Sequence, residues 1–140
     1  MAAARPEPRL DADNRAFWTG GASGELRLMR CKDCATFIHP PRQVCRKCLS
    51  DNVAPEAVAG TGVIDTFTVN YQKWHPSMEV PFVIARIAVD GAPGVYLTTN
   101  IVGCSVDDVA IGDRVRVKFE QQGEIFFPLF EKITEKSSAR

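Results

Sequence analysis

Histidine is scarce in this sequence: its 140 residues contain two, His39 and His75. With so few, and with no HExxH, no Ser or Cys beside an obvious base and no glycine-rich phosphate loop, no catalytic constellation emerges. A free-standing enzyme is the weakest of the function classes. Excess charge is also missing, since 17 basic residues balance 17 acidic ones. A dedicated nucleic-acid binder usually carries a clear basic surplus. No apolar run approaches the roughly 18 residues that suggest a membrane span, and the opening MAAARPEPRLDADNR lacks the apolar stretch of a secretion signal. The expectation is a reducing, cytoplasmic location, where paired cysteines favour metal over disulfides.

What the sequence does have is cysteine in a pattern. Cys31, Cys34, Cys45 and Cys48 form Cys-x2-Cys-x10-Cys-x2-Cys. Each Cys-x-x-Cys turn aims two thiolates at one centre, and two such knuckles joined by a hairpin give the tetrahedral sulfur set that Zn2+ prefers, at about 2.3 Å per bond. The intervening ATFIHPPRQV suits the hairpin, with Pro40-Pro41 forcing the turn and Phe37 and Ile38 giving apolar cover. A redox motif would open a helix in a βαβ pattern, and none is seen. An iron site is the chemical alternative, but zinc is commoner for this spacing. Because protein fills all four positions, the metal is structural. A ribbon this small cannot bury enough apolar area to fold unaided, so the metal should supply its folding energy. Four thiolates and Zn2+ sum to −2, which Lys32, Arg42, Arg46 and Lys47, less Asp33, offset. The fifth cysteine, Cys104, reads as a small buried apolar residue.

Around the cysteines the charge is uneven: residues 1–50 are net basic and residues 51–140 net acidic, which suggests two regions with different surfaces. Residues 1–9, rich in Ala, Pro and Arg, read as loose. A short helix is expected from Asp11 to Thr19, stopped by Gly20-Gly21. GELRLMR leads as a strand into Cys31. SDNVAPEAVAGTG (50–62) reads as a linker. Beyond it lie GVIDTFTVNY, PFVIARIAV, GVYLTTNIVG, DRVRVKFE and EIFFPLF, rich in β-branched and aromatic residues and separated by turn signals such as DGAPG and QQGE. VDDVAIGD between the third and fourth is a turn or short helix. Such a rhythm fits a small OB-type barrel, with a sandwich as the alternative. The expected fold class is mainly β. The expected organisation is a flexible N-terminus and short helix (1–23), a zinc ribbon (24–50), an OB barrel (60–133) and a flexible tail (134–140).

These elements in this order resemble a known family, the Zn-ribbon/OB-fold acyl-CoA-associated proteins, long catalogued as a domain of unknown function. The resemblance covers roughly residues 11–133. It rests on FWTG (17–20), GELRLMRCKDC (24–34), PPRQVCRKC (40–48), GTG (60–62), PFVIARI (81–87), TTNIVGC (98–104), IGDRVRVKF (111–119) and FPLF (127–130). It implies a non-catalytic accessory subunit of a thiolase-superfamily enzyme, including retro-aldol lyases of steroid side-chain breakdown, or of a MaoC-like hydratase, with acyl-CoA nearby. The sequence departs from the family where Asp33 replaces a small residue and Ala35 a frequent glycine; little effect on zinc is expected.

Candidate contacts for CoA or a partner lie in YQKWHPSMEV (71–80), which joins the first two barrel strands. Tyr71, Trp74 and His75 suit stacking and Lys73 a phosphate; the plainer reading has Tyr71 and Trp74 plugging the barrel end or a subunit interface. Arg42 and Arg46 are further phosphate candidates, or neutralise the metal centre. His39 is not needed as a ligand. Arg114, Arg116 and Lys118 line one strand face, with Arg86 nearby, and support the rival reading, a single-stranded nucleic-acid or polyanion binder. Acidic neighbours make an ordinary solvated face the simpler reading.

Overall fold

The structure, a computed structural model, describes residues 5–74, 76 and 79–133. The expected tail, 134–140, lies outside the described residues. Strands dominate: β1 (Leu26–Cys31), β2 (Phe37–Ile38) and β3 (Val53–Val58) form one antiparallel sheet in the order β2-β1-β3. β4 (Thr61–Asn70), β5 (Phe82–Val89), β6 (Tyr96–Val102), β7 (Arg114–Gln122) and β8 (Ile125–Lys132) close a barrel in the order β4-β5-β6-β8-β7. The closure excludes the sandwich. It is made by a short parallel pairing of β6 with β8, Ile101 opposite Phe130 and Val102 opposite Glu131.

The strand periodicity explains the core. In β5 Val83, Ala85, Ile87 and Val89 are buried and point into the barrel, alternating with more exposed residues. Along β1, Leu26 and Leu28 join the barrel core with Phe37, whereas Met29 and Cys31 turn the other way into a small cluster with Ile38 and Cys45. One strand thus serves two cores. Gly62 is required by a close approach: a Cβ there would lie 2.5 Å from the Ala88 carbonyl oxygen. The β4–β5 register then shifts between Ile64 and Thr66, a bulge that bends the strand around the barrel.

Three expectations are corrected. The stretch taken as a linker contains β3, which pairs with β1 along its whole length, from Leu26 opposite Val58 to Cys31 opposite Val53. Pro55 is accommodated because β3 is the edge of its sheet. The helix α1 is shorter than expected, Arg15–Thr19. Asp11 Oδ1 instead accepts from the amides of Asp13 and Asn14, and the two glycines carry the chain on as a 3₁₀ turn, Gly20–Ser23. The segment before α1 is held rather than loose from Arg5 onward. The Arg5 amide donates to Gln122 Oε1 at 2.9 Å, its guanidinium bonds Glu120 at 2.8 Å and Asn100 at 3.1 Å, and Leu10 packs with Trp18 on Ile125, Phe127 and Leu129. This arm covers the exterior of β8.

Candidate metal centre and binding loops

The two knuckles repeat one backbone pattern. The Cys31 and Cys45 amides donate to the carbonyls of Thr36 and Ser50, and the Ala35 and Leu49 amides return to the carbonyls of Cys31 and Cys45. Ala35 and Leu49, each one residue past the second cysteine of its knuckle, sit in the left-handed region at φ 68° and 66°. That turn lifts two sulfurs from each knuckle toward a common point. All four Sγ atoms lie within 4.8 Å of one another, with Cys31–Cys48 and Cys34–Cys45 at 3.6 Å. A tetrahedron with bonds of about 2.3 Å has edges of about 3.8 Å, so the set fits zinc. The Lys47 amide also donates to Cys45 Sγ at 3.3 Å.

Their proton affinities point the same way. Hydrogen bonding with Thr36, side chain first and then backbone, takes the Cys34 thiol down to about 6. At Cys48 the lowering pull of the Ser50 amide is outweighed by hydrogen bonds with Cys31, Cys34 and Cys45 and by burial, and the thiol is pushed up to about 12. Crowded sulfurs resist ionising together. A divalent cation removes that conflict by taking all of them as thiolates. The four cysteines fit a structural zinc and could hold it as a set.

Arg42, one of the phosphate candidates, is exposed at a cleft of about 210 Å³ between ribbon and helix, lined also by Asp13, Phe17, Trp18 and His39, and its Nη1 donates to the Pro41 carbonyl at 2.9 Å. Burial holds the His39 imidazole below its ordinary pKa, its ring lies 5.1 Å from that of Phe17, and its buried Nδ1 has no partner among the described residues. Gln43 ties the second knuckle to this cleft by donating to Asp13 Oδ1 at 2.8 Å. Arg46 is exposed beside Cys45.

In the β4–β5 loop Tyr71 is 69% and Trp74 73% exposed. Neither plugs the barrel. Trp74 is nevertheless oriented, its Nε1 donating to Asn70 Oδ1 at 3.0 Å, and Lys73 is exposed beside it. His75 lies outside the described residues. Cys104 is also not the buried residue expected: it is exposed, and partial desolvation, opposed by Lys132, raises its pKa. Within the basic stripe Arg114 and Arg116 are paired. Arg114 binds Asp90 through two nitrogens, at 3.1 and 2.6 Å, Arg116 meets Glu131 at 3.2 Å, and Arg86 meets Asp65 at 3.3 Å while lying 3.9 Å over the Tyr96 ring.

Residues 18–54 match the ChsH2 rubredoxin-like zinc ribbon domain and residues 55–120 the ChsH2 C-terminal OB-fold domain. The solved Ltp2-ChsH2(DUF35) aldolase contains a chain that superposes with a TM-score of 0.78 at 32% identity, covering 90% of this chain and 98% of that one. The chain belongs to the ChsH2/DUF35 family. Among ChsH2-like relatives, a probable enoyl-CoA hydratase alpha subunit of Thermomonospora curvata is 35% identical over 91% of this chain and 40% of its own length. The 3-oxo-4,17-pregnadiene-20-carboxyl-CoA hydratase alpha subunit of Mycobacterium tuberculosis is 30% identical over 80% of this chain and 35% of its own. The chain thus spans well under half the length of these two curated relatives. Among the described residues no helix is long and apolar enough to cross a membrane.

Proposed function

We propose that this chain is a non-catalytic accessory subunit of an acyl-CoA-processing complex, docking on a thiolase-fold enzyme or a MaoC-like hydratase and supporting acyl-CoA binding and turnover. The observation that carries the reading is the likeness, over nearly the whole of both chains, to the ChsH2(DUF35) component of an aldolase. The hydratase-subunit relatives extend it to acyl-CoA substrates, and one of them to steroid side chains.

The side chains support a presenting role rather than a reacting one. Burial lowers the pKa of half-buried His39, which weakens it as a base, and desolvation raises that of Cys104, which keeps it a thiol rather than a thiolate nucleophile. The zinc would hold the hairpin rigid through Cys31, Cys34, Cys45 and Cys48, with no protein-free position for substrate. Tyr71, Lys73 and Trp74 are exposed on the loop that commonly carries ligand contacts in OB barrels; they, Arg42 and Arg46 are our candidates for CoA or partner contact, with His75 completing that loop in sequence.

Co-expression with the thiolase-fold and MaoC-like subunits of the same source tests the reading. A stable complex whose turnover depends on this chain is expected. Turnover by the isolated chain, or an inert mixture with both subunits, would contradict it. Steeply salt-dependent binding to single-stranded DNA would favour the polyanion reading instead.

A further inference from the structure

Strand β5 is apolar on both sides, and only one side has a use within the described residues. Val83, Ala85, Ile87 and Val89 fill the barrel. Phe82 and Ile84 face outward with Arg86, half-buried, and belong to none of the buried clusters. Cross-strand register extends this side across β6, placing Asn100 beside Ile84, Thr98 beside Arg86 and Tyr96 beside Ala88. Trp74 stands at its loop end, fastened through Asn70, whose own neighbour across the ladder is Phe82. The Arg86 guanidinium is spent locally, paired to Asp65 and stacked on Tyr96. The surface joins apolar Phe82, Ile84 and Tyr96 to neutral polar neighbours, Thr98 and Asn100 on β6 and Thr66 and Thr68 on β4, and its cation, Arg86, is paired.

A strand that is apolar on both sides is normally covered on both sides. The barrel's other exterior shows how: residues from Arg5 to Trp18 lie over β8, with Leu10 and Trp18 as apolar anchors. Among the described residues that cover ends at Asn100, whose Oδ1 accepts from Arg5 and whose Nδ2 donates to the Val83 carbonyl. The bare side starts at the same residue.

We infer that the outward side of β5 and β6, with Trp74 at its edge, is the surface that docks the partner enzyme, and that the partner offers it an uncharged, apolar patch. The inference rests on the accessory-subunit reading and adds where the contact is made. Charge decides between a protein and CoA here. The diphosphate and ribose phosphate of CoA call for several uncommitted cations, whereas a protein interface core is rich in aromatics and depleted of charge.

The test uses the full chain, zinc-loaded, co-expressed with the thiolase-fold subunit of its source and, in parallel, the MaoC-like subunit. Ile84→Glu and Trp74→Ala are compared with the wild type and with Val44→Ser and Leu49→Ser on the ribbon. Zinc content and melting temperature check folding, and Trp74→Ala, on an exposed loop, keeps the test open if Ile84→Glu misfolds. The expected result is a wild-type complex, about thirtyfold or greater weakening by both face variants, and changes within about twofold for the ribbon variants. A wild-type complex that the face variants leave unchanged overturns the assignment of this surface but leaves the accessory-subunit reading intact. No complex with either subunit overturns that reading and this inference with it. Self-association of the isolated chain, or its binding of coenzyme A, lost in the face variants, would name a different occupant and overturn it as well.

Discussion

Asn52 Nδ2 donates a hydrogen bond of 2.9 Å to Asp33 Oδ1, and Ser50 Oγ donates to the other carboxylate oxygen. Asp33 lies inside the first knuckle, whereas Ser50 and Asn52 belong to the chain leaving the second. The Lys32 amide adds a bond of 2.8 Å to the Asn52 carbonyl. Side chain and backbone therefore latch the two halves of the metal centre outside the sulfurs, and the donors, Ser50 first, hold the Asp33 carboxyl below its usual pKa. Asp33→Ala keeps every ligand but opens the latch. Zinc transfer to a competing chelator should accelerate severalfold, read with a metallochromic indicator. An unchanged rate would show that the knuckles close without it.

Ala35 occupies a backbone conformation that costs an L-residue about 1 kcal/mol or more, at φ 68°. Glycine adopts it without that cost but loses more entropy on folding. Ala35→Gly should therefore stabilise the zinc-loaded ribbon by about 0.5 kcal/mol, seen as a small rise in melting temperature. Leu49, at φ 66° and 75% exposed, should respond in the same direction to Leu49→Gly.

Gly21 lets the 3₁₀ turn lie directly on the barrel, where an added Cβ would fall 2.5 Å from Phe126 Cβ and 2.8 Å from Phe119 Cδ1. Gly21→Ala should destabilise the chain by about 1–3 kcal/mol through overpacking. Gly24→Ala makes a useful contrast: it meets no neighbour within 4 Å, but its φ of 71° imposes backbone strain alone. Chemical denaturation of both variants separates the two costs.

Asp90 accepts from Arg114 and from Thr61 Oγ1, the latter at 2.7 Å, and these bonds, Arg114 first, hold its carboxyl below the ordinary range. A depressed folded-state pKa means that the stabilisation is complete above the unfolded value of about 3.9 and fades as the pH falls through the folded value. Asp90→Asn should lower the melting temperature at pH 7, and the gap from the wild type should narrow below about pH 4. A gap that is constant with pH would assign the effect to packing.

The metal centre and the barrel strands were legible because their signals are local. Two knuckles fix ligand spacing, and alternation in DRVRVKFE puts Val115 and Val117 inward. The misreadings were long-range. SDNVAPEAV has a linker's composition, and it becomes a strand only because β1 offers a partner more than twenty residues earlier. Arg5 reads as part of a loose terminus until Gln122 and Asn100 are brought to it by the barrel. Tyr71 and Trp74 read as plugging the barrel end or a subunit interface; the closed barrel fills itself with Val83, Ile87 and Phe130, which removes the first of these and leaves the loop aromatics outside. Cys104 follows Gly103 at φ 83°, a turn that carries the thiol to the surface rather than into the core. The charges of the basic stripe could be counted in the sequence, but their pairing with Asp65, Asp90 and Glu131 could not.

The accessory-subunit reading treats the ribbon as a rigid part of the chain, and that rigidity is assigned to zinc. Metal analysis of freshly purified full chain, with amide hydrogen exchange before and after chelation, tests this most directly. One zinc per chain is predicted, with protection lost through Leu26–Cys31 and Val53–Val58 once the ion is removed. Absence of a stoichiometric metal, or ribbon protection that survives chelation, would contradict the account.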